Sequence, residues 1–275
     1  MASAMARISS PATATRSSAM NLSLFALSLL TLLPVSSRIG QDTDPVMKAY
    51  HEAFEKQDEA ALEELWIEHP GRVLSTIDSD LEGSLSIWEK SPEKPDADAI
   101  ADLHARAMWG ARIASIASSR SIFHDYAASF VGWNNDQKRS FRAGQRAHSV
   151  ARKALANKDA KAGLNAAREC RGLAIALGDW WGTAMGYAAE GDAEHGLGQH
   201  AEGLIASSQA RLIYQQLGLA GSEYRCLLSM VAQLQEMKRP LRLRVTLTQA
   251  IELAGVVGDD AGAARMSETL EGLPE

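Results

Sequence analysis

Between Pro95 and Pro240 the chain contains no proline, a gap of 144 residues in a sequence of 275. Proline removes a backbone donor and clashes with the preceding helical turn, so such a gap is what a succession of helices joined by glycine or polar turns shows. Alternation of apolar and polar residues, the signature of a half-buried strand, is nowhere sustained. The expected fold class is therefore all-α. The composition is that of a packed globule, with 46% hydrophobic and 23% charged residues and a net charge of -6 from 28 bases and 34 acids. Mild acidity gives no general attraction for phosphate backbones, and no basic stripe dominates, which argues against a nucleic-acid partner. Cys170 and Cys226 are too few for a disulfide scaffold and lack metal-site spacing.

Laid over itself with a shift of forty residues, the carboxy-terminal half repeats. Gly178, Gly218 and Gly258 coincide, as do Leu177, Leu217 and Val257, and also Cys170, Ala210 and Ala250. Ala151, Gly191 and Val231 form another column and Gly163, Gly203 and Leu243 a further one, with turn residues Lys158, Gly198 and Lys238 between them. The columns are mostly small. Small residues at fixed places in two consecutive helices let a hairpin close tightly, while Leu and Ile fill the space to the next. A glycine after the second helix stops it, and Asp179 then caps the helix that follows.

The segment GDAEHGLGQHAEGLIASSQA, residues 191 to 210, resembles the tetratricopeptide repeat (TPR) in its longer variant, whose units run about forty residues. Its Gly198-Gln199-His200 makes the turn, and Gly203 and Ala210 sit where that family places small residues. The likeness covers residues 140 to 257, with 258 to 270 as a closing helix. Val231, Leu243 and Pro240 depart from it, and the aromatic signature of the first helix is absent. The resemblance implies a helical-hairpin repeat array, a TPR-like α-solenoid, whose concave face carries Gln145, His148, Arg152, Met185, Asp192, His195, Arg225, Gln235 and Glu236. Such a groove would take an extended peptide or a helix, setting Arg152 and Arg225 against carboxylates and Asp192 against a base. The family's paired-basic clamp is not matched.

Upstream, Asp44-Pro45 has the form of a helix start, and Ala49, Phe54, Leu62 and Trp66 mark two short helices around Lys56-Gln57-Asp58. The stripe Leu74, Ile77, Leu81, Leu85 and Trp88 marks a third, followed by a helix over about 98–118, a short one with Phe123, Tyr126 and Phe130, and a long one opened by the turn Trp133-Asn134-Asn135-Asp136 and running to about Ala156. Residues 42–135 form an amino-terminal helical region compatible with degenerate hairpins, and residues 136–275 the repeats. Residues 1–37 have the form of a cleaved export signal: only arginines are charged, and the apolar run 20–35 ends on Val35-Ser36-Ser37. Translation from Met20, an organelle transit peptide and an uncleaved membrane anchor are the alternatives. Cleavage after Ser37 leaves 238 residues and a charge of -8.

Other motifs carry less. Adjacent Trp180 and Trp181 point about 100° apart on a helix, so one enters a core and the other is a candidate exposed anchor. Asp192, His195 and His200 fall short of a zinc ligand set, and Gly196–Ala201 imitates a dinucleotide fingerprint where a helix, not a strand, precedes it. Serine-hydrolase, zincin and Walker motifs are lacking, and Cys170 fills a packing column. The expectation is an exported, non-catalytic scaffold or binding protein for a protein or peptide partner, with no cofactor or metal. The rivals are an enzyme using His104, His124 or Asp125 in the amino-terminal helices or between the two parts, and a self-associating structural module.

Overall fold

A computed structural model describes residues 44–274, which form twelve α-helices and no strand. Helices α1 (Pro45–Lys56), α2 (Glu59–Glu68), α3 (Val73–Lys90), α4 (Ala97–Ser118) and α5 (Ile122–Val131) come first. Then follow α6 (Asn135–Ala156), α7 (Ala160–Leu177), α8 (Trp180–Gly196), α9 (His200–Gln216), α10 (Ala220–Glu236), α11 (Pro240–Val257) and α12 (Asp260–Glu271). Their starts are written in the sequence: the side chains of Asp44, Asp58, Asp96, Asn134, Asp159, Asp179 and Asp259 each accept a hydrogen bond from a backbone N–H of the first turn. The candidate export signal, residues 1–37, lies outside the described residues. Among the described residues no helix is long and apolar enough to cross a membrane.

From α6 onward each helix packs on the next, giving the hairpins α6–α7, α8–α9 and α10–α11 closed by α12. The forty-residue period is visible in the backbone. Within the hairpins the left-handed turn residue is Lys158, Gly198 or Lys238, with φ of 61°, 76° and 52°; between them it is Gly178, Gly218 or Gly258, with φ of 68°, 70° and 75°. Glycine adopts this conformation freely, whereas other residues strain to do so. The small columns lie at the crossings, where Ala151, Ala210 and Ala250 are fully buried and Cys170 is 2% exposed. A side chain on Gly191 would place its Cβ 2.3 Å from the Ser207 hydroxyl and 3.1 Å from the Gly203 carbonyl, so α8 and α9 meet nearly backbone to backbone.

In the amino-terminal region α4 packs against α1, α2, α3 and α5. The predicted stripe of α3 is buried there with Tyr50, Leu62, Trp66, Phe123 and Phe130. One polar knot fastens it. Arg106 grips Asp80 with two donors, at 2.9 and 2.5 Å, and the fully buried Tyr50 hydroxyl sits 2.9 Å from the same carboxylate and 2.8 Å from the Arg106 carbonyl. This core continues into the array, because Leu177 and Leu217, the residues before two of its turn glycines, belong to it. The Trp133 indole N–H donates to the Leu177 carbonyl at 2.9 Å, and Arg120 donates to the carbonyls of Gln215 and Gln216 at the end of α9.

Candidate binding surface

The first helices of the hairpins adjoin one another, α6 on α8 and α8 on α10, whereas α7, α9 and α11 are not comparably packed together. An array whose members approach more closely on one side curves toward that side. The side of α6, α8 and α10 is therefore the inner one, and the nine residues expected to line a groove all lie on these three helices.

The structure brings four of them, Asp192, His195, Arg225 and Glu236, into one group. Ser229 of α10 donates to Asp192 Oδ1 at 2.8 Å, and the buried Gln233 amide reaches both Ser229 Oγ and the Gly191 carbonyl at 3.2 Å. Crowding by protein pushes the Asp192 carboxyl above its ordinary range, opposed by Ser229, His195 and Arg225. His195 is pushed down by burial and by His200, whose Nδ1 lies 3.0 Å from its own, while Asp192 and Glu236 pull the other way. Asp192, His195, Arg225 and Glu236 thus share one electrostatic neighbourhood. Gln235 is exposed beside Glu236. On α6, burial and the nearby Arg152 push His148 down to about 4, so its imidazole is neutral at physiological pH. Met185 lines a small crevice with Phe141, Gly144 and Leu173. Of the paired indoles, Trp181 packs inward while Trp180 is 41% exposed.

Gln145 stands apart from the rest. Its amide donates to Glu82 Oε1 of α3 at 2.7 Å and its carbonyl accepts from Arg142 at 2.7 Å, while Arg142 also pairs with Glu82 and Glu89. The first inner position is therefore engaged by the chain's own α3. Behind it lies a group that sequence reasoning missed. The Tyr126 hydroxyl donates to Asp78 Oδ1 at 2.5 Å, and burial, then Glu82, pushes the Asp78 carboxyl up to about 7. Asp179, 5% exposed, is pushed up to about 6 by burial although the Gly182 N–H holds it down. Asp78 and Glu82, four apart on α3, were the available signal, but nothing in the sequence brings them to α6.

The residues of the enzyme reading are scattered. His104 lies 2.9 Å from Ser84 Oγ inside the amino-terminal region, whereas His124 and Asp125 stand exposed and adjacent on α5. Burial pushes the Cys170 and Cys226 thiols up to about 12, which leaves them protonated and poor nucleophiles. Among the described residues no group of three His, Cys, Asp or Glu side chains could hold a metal ion, Asp192, His195 and His200 included.

The charge is less evenly spread along the chain than the chain-wide balance implies. Residues 138–171, within α6 and α7, hold ten bases against two acids, while residues 44–137 hold eighteen acids against eight bases. In the chain-wide balance these opposed charges average out.

The molecule is thus an all-α helical-repeat array with an amino-terminal helical group packed along it. Compared with protein-family models and with curated proteins, the sequence matches none.

Proposed function

We propose that this chain is a TPR-like, non-catalytic binding protein, exported by its amino-terminal segment, that holds a protein or peptide partner on the inner face of α6, α8 and α10. The observation that carries the reading is the arrangement of charge on that face. Arg152 is exposed and makes no ion pair among the described residues, and Arg225 is exposed with only Ser222 as a side-chain partner at 3.0 Å. Asp192 lies on α8, the helix between theirs, at the register position of Arg152 and two helical turns from that of Arg225. Two exposed guanidinium groups without an ion pair, on the helices either side of a carboxylate, suit a segment that presents acids at its ends and a base or amide donor between them. Gln145 is left out of the contact set, being occupied by Glu82.

Pull-downs from the native compartment test this directly. Reversing both guanidinium charges, with Arg152→Glu and Arg225→Glu, is expected to weaken capture of the principal partner by at least about tenfold. Retention of every partner by the double variant would overturn the assignment.

A further inference from the structure

The inner-face reading leaves unused the two regions of opposite charge, and they differ from that face in position. From the middle of α6 to the start of α7, Arg146, Lys153, Lys158 and Lys161 are all exposed, and none makes an ion pair among the described residues. Val150, between Arg146 and Lys153, is 56% exposed, an apolar spot within the basic surface. The opposite surface belongs to α1 and α2. A shallow cleft between those helices is lined by Ala53, Leu65, Asp58, Glu64 and Glu68 and by the ion pair of Glu52 with Lys56. Ile67, 63% exposed on α2, stands between Glu64 and Glu68 in the sequence. Each region therefore combines an excess of charge of one sign, over Asp159 in the first and Lys56 in the second, with an exposed aliphatic side chain.

The two do not meet within one molecule. The ion pairs of α1 and α2 are local ones, Lys48 and Lys56 with Glu52 and Arg112 with Glu59, and none among the described residues reaches α6 or α7. The bases of α6 and α7 that are paired, Arg139, Arg142, Arg168 and Arg171, use Asp136, α3 and α8. We propose that the basic surface of the α6–α7 hairpin docks on the acidic α1–α2 cleft of a second copy of this chain, giving head-to-tail association. A second copy is the occupant that carries the complementary charge by construction, with Arg146, Lys153, Lys158 and Lys161 exposed on one surface and Asp58, Glu64 and Glu68 beside the Glu52–Lys56 pair on the other. The contact is heterologous, so a docked pair keeps one free surface of each sign and the assembly grows until a ring closes or the chain of copies ends.

Sedimentation velocity across a concentration series tests this on the intact chain. Wild-type protein is expected to grow in mass with concentration at about 0.01 M salt and to revert to monomer near 1 M, where the screening length falls from about 30 Å to about 3 Å. Two charge reversals are then compared: Lys153→Glu with Lys161→Glu, and Glu64→Lys with Glu68→Lys. All four positions are exposed, and circular dichroism checks that each variant keeps its helices. Each variant alone is expected to lose self-association by at least about tenfold, whereas an equal mixture forms a one-to-one dimer, because each supplies the surface the other lacks. A wild-type protein that stays monomeric at low salt, or association that both reversals leave unchanged, overturns the proposal. Neither Lys153 nor Lys161 is among the inner-face residues, so failure here is distinguishable from failure of the partner groove.

Discussion

Asp78 shows how a single side chain ties the two parts of the chain to solution conditions. It accepts from Tyr126 and lies close enough to Glu82 and Asp179 for their charges to raise its pKa, and burial is the largest reason that its carboxyl sits near 7. An aspartate of raised pKa stabilises the fold in its protonated form. That contribution is complete below the ordinary value of 3.8 and is lost as pH rises through about 7, because the folded state binds the extra proton in between. Asp179, near 6, acts in the same direction. His148 acts oppositely: with its pKa near 4 instead of 6.5, it gives stability that is lost as pH falls through that window. The informative quantity is therefore the difference between a variant and the wild type. Asp78→Asn preserves an acceptor for Tyr126 and removes the charge, so its gain in urea midpoint over wild type is expected to be larger at about pH 8 than at about pH 5. Equal differences at the two pH values would show that this carboxyl does not titrate between them.

At the scale of the element, the helices were legible because their ends and their buried faces are local properties. Asp44-Pro45 and the Asn134–Gln137 capping box fix where α1 and α6 begin, and the apolar stripe of α3 fixes which side of it is buried. The hairpins were legible because their close approaches recur every forty residues. What the sequence hides is contact between elements far apart along the chain. Glu82 reaching Gln145, and Pro70 lying against Gly218, leave no period to detect. The most exacting element is α8, which carries Gly182, Gly186 and Gly191. A Cβ on Gly186 would come within 2.8 Å of the Arg171 backbone on α7, and one on Gly191 within 3.1 Å of the Gly203 carbonyl on α9. Backbone cannot swing aside as a side chain can, so Gly186→Ala is expected to cost roughly 1 to 3 kcal/mol in chemical denaturation. Gly172 of α7 is the control, with nothing within 4 Å of the same position, and Gly172→Ala is expected to stabilise by about 0.5 to 1 kcal/mol through helix propensity alone. A like cost at both positions would mean that the α7–α8 crossing is looser than the structure has it.

The whole molecule behaves according to how its amino-terminal helices are joined to the array. The sequence divides into an amino-terminal helical region and a repeat region at about residue 135, but a repeat array in which each unit touches only its neighbours would let the two unfold separately. The contacts say otherwise. Leu177, 6% exposed, and Leu217, fully buried, are array residues whose cover comes from the core of α1 to α5. The turns that follow them are held as well: Pro70 lies against Gly218, the Ser129 side chain against Gly178, and Trp133 and Arg120 donate to carbonyls at the ends of α7 and α9. Detaching the amino-terminal helices would expose those leucines and leave the bound carbonyls to water, a loss borne by two successive units at once. The intact protein is therefore expected to melt in one transition that coincides by far-ultraviolet circular dichroism and tryptophan fluorescence. A fragment comprising residues 136–275 is expected to melt earlier and to bind a hydrophobic dye such as ANS, because it lacks the helices that cover Leu177 and Leu217. A fragment as stable as the intact chain, or two separated transitions in the intact chain, would show that the seam along the turn glycines contributes little and that the array stands by itself.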